Sequence, residues 1–238
     1  LAALLAKEGL APEDGVPLHF SLDENSHKHA FGVSKDLKYG LRRSVELLAN
    51  EYVWYQRNFG KQALFQDEEV AKKLTNEALS YLYRLLFLFY AEARAGELNI
   101  VPMKSEAYQA GYSLEMLRDL EQVLLNSPHA QDGYFINNSL QKLFRLLNDG
   151  YQPSQMALMT DQAGEQVFQE HGFVIQGLNS PLFDPAKTPM FSKAKFRNIV
   201  LQEVIQLLSL SRETKKSKYG RGRISYAQLG INQLGAVY

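Results

Sequence analysis

Apolar residues crowd one stretch of the chain, Tyr81 to Ala93, where every position except Arg84 and Glu92 is apolar or aromatic. A surface helix carries one apolar stripe and one polar face. Here Leu82, Leu85, Leu86 and Phe89 make one stripe, and Tyr81, Phe87, Leu88 and Tyr90 cover much of the remainder. A helix that is apolar most of the way round has to be enclosed, so the pattern predicts the central helix of a helical domain. Asp67 offers an N-cap, Glu68 to Arg94 contains no Gly or Pro, and Gly96 offers a stop. The uninterrupted apolar run Leu85 to Ala91 falls far short of the roughly 20 residues of a membrane span. Arg84 and Glu92 lie about two turns apart, near one edge of the helix, where they are expected to be solvated or paired.

The flanking pattern predicts further helices. Val16 to Leu22 and His29 to Val33 suggest a hairpin around Asp23 to His27. From Leu37 the period turns helical, with Leu37, Leu41, Val45, Leu48, Tyr52 and Tyr55 at spacings of three and four. Gly40 weakens that helix by about 1 kcal/mol relative to Ala. Ser113 is placed as an N-cap, with Leu114, Leu117, Leu120 and Leu124 on one face and Pro128 as the end. A helix over Tyr134 to Asp149 would bury Phe135, Leu140, Leu143, Phe144 and Leu147. Tyr151 to Phe191 holds four of the eight prolines and predicts an ordered loop, with a helix over Asp161 to Glu170 and a short strand over Phe173 to Ile175. Helical spacing returns over Lys193 to Leu210, with Phe196, Val200, Val204, Leu207 and Leu208 facing in. Ser225 to Gln228 has the form of a capping box opening a last helix. The expected fold is mainly α: a multi-helix domain around a buried central helix, with a small β element near the N-terminus and an irregular loop region. Residues 1–36 are assigned to the tail of an upstream domain and 37–238 to the helical domain.

Composition narrows the chemistry. At 238 residues, 45% apolar and 22% charged, the chain is an ordinary globular one. The absence of cysteine excludes disulfides, thiolate zinc sites and cysteine nucleophiles, and agrees with a cytoplasmic setting. Formal charge is zero, yet Arg212, Lys215, Lys216, Lys218, Arg221 and Arg223 face a single acid, Glu213, within one run. That run carries +5 in a neutral chain, so the remainder carries −5. Small residues and Tyr219, which offers a stacking face, make the run suited to a phosphate backbone. It equally suits a solvated inter-helix loop, and the sequence leaves both open. Gly220-Arg-Gly222 lacks the third glycine and the preceding strand of a dinucleotide fingerprint. His27 and His29 have no third ligand nearby for a metal. No Gly-x-Ser-x-Gly elbow occurs. No catalytic, cofactor-binding or metal residue is assigned, and Trp54 and Tyr55 are read as core or domain-contact residues.

Four segments together resemble one group of enzymes. They are Leu41-Arg-Arg-Ser-Val-Glu-Leu-Leu48, Leu82-Tyr-Arg-Leu-Leu-Phe-Leu-Phe-Tyr-Ala-Glu-Ala-Arg94, Gly177-Leu-Asn-Ser-Pro-Leu-Phe-Asp-Pro185 and Arg223-Ile-Ser-Tyr-Ala-Gln-Leu-Gly-Ile-Asn-Gln-Leu-Gly-Ala-Val-Tyr238. Their order and spacing resemble the helical region ahead of the catalytic domain in the large adenine-specific DNA methyltransferases of Type IIG-like restriction–modification and related phage-defence systems. Ser180-Pro181 departs from that group, whose loop usually has glycines there. The resemblance implies a parent that uses S-adenosylmethionine on double-stranded DNA. It places the cofactor loop and Asn-Pro-Pro-Tyr motif beyond Tyr238, in a catalytic domain this segment would adjoin. On that expectation the segment is catalytically silent by itself and acts as a connector that helps to hold DNA. The alternative is a helical scaffold or protein-interaction domain that does not touch nucleic acid.

Overall fold

The computed structural model describes residues 18–60, 68–153, 158–160, 166–168, 172–211 and 222–229; for 18–34, 158–160 and 166–168 it describes backbone alone. Among these, helix dominates. The helices are α1 (Leu18–Phe59), α2 (Glu68–Ala93), α3 (Ala95–Leu98), α4 (Glu106–Gly111), α5 (Leu114–Asp119), α6 (Pro128–Asp132), α7 (Phe135–Asp149), α8 (Pro189–Lys193) and α9 (Asn198–Ser209). Single 3-10 turns cover Leu120–Gln122, Pro185–Lys187 and Tyr226–Gln228.

The central helix is where its composition puts it. From Tyr81 to Glu92 every residue of α2 is buried except Tyr83, Phe87 and Tyr90, which are half-buried. Helix α2 packs against α1, α5, α8 and the turn at Tyr226–Gln228, while α9 packs against α1, α6 and α7. Tyr81 sits at the centre, edge-on to Phe144, Phe191 and Phe196 at ring separations of 5.3, 5.8 and 5.8 Å. Edge-to-face geometry sets the positive rim of one ring on the negative face of another.

The amino-terminal hairpin is not found. The backbone is helical from Leu18, in one helix that runs unbroken through positions 36 and 37. Leu18, Leu22, Ala30, Val33, Leu37 and Leu41 keep helical spacing, and Asp23 to His27 contains no tight-turn pair. Helix α5 is shorter than expected. Ser113 caps it by accepting from the Met116 amide, but the helix stops at Asp119, and Leu124 is 80% exposed. Gln202 takes the chain out of the helix by donating to the Leu120 and Val123 carbonyls, both at 2.7 Å. Phe135 is exposed as well, because it precedes the buried stripe Ile136, Leu140, Leu143, Phe144 and Leu147 of α7. In place of the helix expected over Asp161 to Glu170, Leu158–Thr160 pairs antiparallel with Gln166–Phe168. Ile175 makes one bridge with Tyr151. Along α9, Leu201, Val204, Ile205 and Leu208 face in, while Val200 and Leu207 are half-buried. Ser225 makes no side-chain cap, and Tyr226–Gln228 is a single 3-10 turn followed by extended Leu229.

Candidate nucleic-acid interface

Charges on the buried helices act on backbone rather than on solvent. Glu77 accepts from the amides of Met190 and Phe191, each at 2.9 Å, and so caps α8. Arg84 donates to the Leu182 and Asp184 carbonyls and to the Thr188 hydroxyl, and its guanidinium lies 5.4 Å from the Phe144 ring centre. These two side chains order the proline-rich stretch, whose Phe183 and Phe191 are buried. In the last turn of α2, Glu92 accepts from the amides of Leu114 and Glu115 and from the Tyr108 hydroxyl. Burial pushes the Glu92 carboxyl up to about 7, against the pull of those three donors. Arg84 and Glu92, expected at a helix edge, are thus buried and paired to main chain.

The same mechanism builds the base of the cationic run. Ser211 and Gly222 bond through the Ser211 amide and the Gly222 carbonyl at 2.8 Å, and the Ile224 amide donates to the Ser209 carbonyl at 2.7 Å. Leu210 pairs with Arg223 in an antiparallel bridge. Arg118 spans both arms by donating to the Ser209 and Ile224 carbonyls at 3.2 and 2.8 Å. Behind it, Tyr226 donates to the Leu208 carbonyl and stacks on Phe89 of α2 at 4.9 Å. Ser211 and Gly222, with ten residues of chain between them, are therefore held side by side.

Arg223 belongs to this base. It reaches Glu121 at 2.8 Å, Asp119 at 2.9 Å and Glu115 at 3.4 Å. The bond to Asp119, with Glu121 close behind, raises its pKa above the ordinary guanidinium value. Three carboxylates neutralise it, so its charge holds the loop closed. The other five cations, Arg212, Lys215, Lys216, Lys218 and Arg221, lie outside the described residues, as does Tyr219. With Glu213 they leave +4 on the segment between the clasped ends. The clasp acids escaped the sequence reading, although Glu115 and Asp119 stand one turn apart on α5 and Glu121 follows closely.

Among the described residues no group of three His, Asp or Glu side chains is placed to hold a metal ion. No helix there is long and apolar enough to cross a membrane. No family model, curated protein or solved structure matches the chain.

Proposed function

We propose that this chain is a helical scaffold that offers a tethered cationic loop to the phosphates of double-stranded DNA. Its setting is the one the resemblance implies, the helical region ahead of a restriction–modification adenine methyltransferase's catalytic domain. The supporting observation is the clasp at Ser211 and Gly222: a segment of +4 is held at both ends on a rigid base whose own arginine is already neutralised. Closure over a short span limits the freedom the loop would lose on binding. Each phosphate neutralised by a loop cation releases a counterion condensed on the DNA, so affinity falls steeply with salt.

The test is duplex binding by fluorescence anisotropy at low salt, with Arg212, Lys215, Lys216, Lys218 and Arg221 changed to Gln. Native protein should show a log–log salt slope of about −4 to −5 if all five cations meet phosphates. The neutralised variant should lose most of that slope. Unchanged affinity would remove the loop from the interface. It would favour the second reading, a protein-interaction domain, for which Val123, Leu124 and Ile199 supply exposed apolar surface beside Gln202 and Leu207.

A further inference from the structure

Aromatic and cationic side chains meet on another face of the molecule, at the end of α1. Phe59 is 60% exposed. Trp54 stands edge-on to it at 5.9 Å and Tyr55 tilts against it at 5.4 Å. The segment between α8 and α9 lies alongside. There the chain is extended, so side chains alternate: Ala194 and Phe196 are buried, while Lys193 and Lys195 are exposed and Arg197 is only half-buried. Alternation puts Lys195 and Arg197 on one side, roughly 6 to 7 Å apart along the chain.

Arg197 and the lysines have different tasks. The Arg197 guanidinium lies 3.7 Å from the Trp54 ring centre. It is held there by Glu51, to which Nε and Nη2 donate at 2.8 Å, and by Asp132 at 3.2 Å. Its charge is compensated, and it fixes the tryptophan. Lys193 and Lys195 make no ion pair among the described residues. Lys195 stands 5.7 Å from the Tyr134 ring centre. Tyr134 in turn lies near Glu51, Tyr55, Arg197 and Asp132. The result is a set of neighbouring rings of which Phe59 is the most exposed, with Lys195 beside Tyr134 and exposed Lys193 two residues before it.

We infer that this surface binds single-stranded nucleic acid, stacking an unpaired base on Phe59 and its neighbouring rings while Lys193 and Lys195 hold the flanking phosphates. A duplex hides its base faces and would use only the lysines. A purely apolar protein partner would gain nothing from desolvating them. Base stacking on exposed rings and phosphate contact from adjacent cations together match an unpaired strand. The inference shares the nucleic-acid setting of the proposed function but stands on residues far from the loop in sequence.

Trp54 is the only tryptophan in the chain, so its emission reports on this surface alone. The experiment titrates the full chain with oligothymidylate at about 50 mM salt, where phosphate contacts are strong. Trp54 emission should change saturably. K193E/K195E should weaken binding by about 10-fold or more, and Phe59→Ala by about 5-fold or more. All three positions are exposed, so these variants should fold, which a circular-dichroism melt checks. The loop variant with five Gln substitutions should keep the Trp54 response. Absence of any emission change, or equal affinity for K193E/K195E and native protein, would overturn the inference. Duplex binding through the loop alongside no Trp54 response to oligothymidylate would overturn it too and leave the loop reading standing.

Discussion

At the scale of single residues, two buried groups make opposite demands. The Tyr81 hydroxyl is fully buried among phenylalanines and has no hydrogen-bond partner among the described residues. A buried hydroxyl without a partner keeps its desolvation cost. Tyr81→Phe retains all three edge-on ring contacts and removes that cost, so it should raise stability by about 1 kcal/mol, measured by denaturant unfolding. Glu92 is different, because its oxygens carry three hydrogen bonds yet its carboxyl is raised from 4.5 to about 7 by burial. A raised folded-state value means the native protein holds the proton more tightly than the unfolded chain. Glu92 therefore contributes stability that is complete below 4.5 and is lost as pH rises through about 7. The loss amounts to about 3 kcal/mol. Glu92→Gln should flatten the stability profile between these pH values, since its single amide oxygen still accepts from one of the two amides, Leu114 or Glu115, but the group cannot ionise. A profile in Glu92→Gln as steep as that of the native protein would locate the pH dependence elsewhere.

Elements were legible where burial is set by local spacing, and illegible where a distant side chain decides. The burial of the apolar residues of Tyr81 to Ala91, and of Leu140, Leu143, Phe144 and Leu147 in α7, follows from composition and period alone. The end of α5 does not, because Gln202 and Gln206 of α9 capture the carbonyls of Leu120, Glu121 and Val123 just past it, from more than seventy residues away in sequence. The short amino-terminal alternation misled for a related reason: backbone hydrogen bonds within a helix need no partner strand, and no turn pair was present to make one. Gly40 shows how packing reverses a propensity. In an isolated helix Ala would be better there by about 1 kcal/mol. In α1, a Cβ at position 40 would fall 3.1 Å from the Leu207 carbonyl carbon and inside contact distance of its oxygen, both backbone atoms of α9. Backbone cannot rotate away, so α1 and α9 must separate. Gly40→Ala should then destabilise the domain by about 1–3 kcal/mol. Chemical denaturation measures the sign directly.

Across the whole molecule, charge is sorted by what holds it. The cationic run stands out in the sequence because six basic residues face one acid, and the residues that flank its undescribed part, Ser211 and Gly222, are bonded to each other. What the sequence could not separate was Arg223 from the other five. Identical in type to Arg212 and Arg221, it meets Glu115, Asp119 and Glu121, which α5 and the following turn bring to it. This division makes opposite predictions for two arginine substitutions. Arg221→Gln removes a cation from the segment and should reduce the salt slope of duplex binding by about 1 while leaving the melting temperature unchanged. Arg223→Gln strands Glu121, which is 1% exposed, beside the Ser209 hydroxyl without its guanidinium. Leaving a buried carboxylate unpaired is strongly destabilising, although the exposed side of this cluster softens the effect. Arg223→Gln should therefore lower the melting temperature and loosen the bridge at Leu210, seen as faster amide exchange at Ser211 and Ile224. Its salt slope should stay close to that of the native protein as long as the domain is folded. A reversed outcome, with Arg223→Gln altering the slope and sparing the fold, would make Arg223 a phosphate contact and its three acids incidental neighbours.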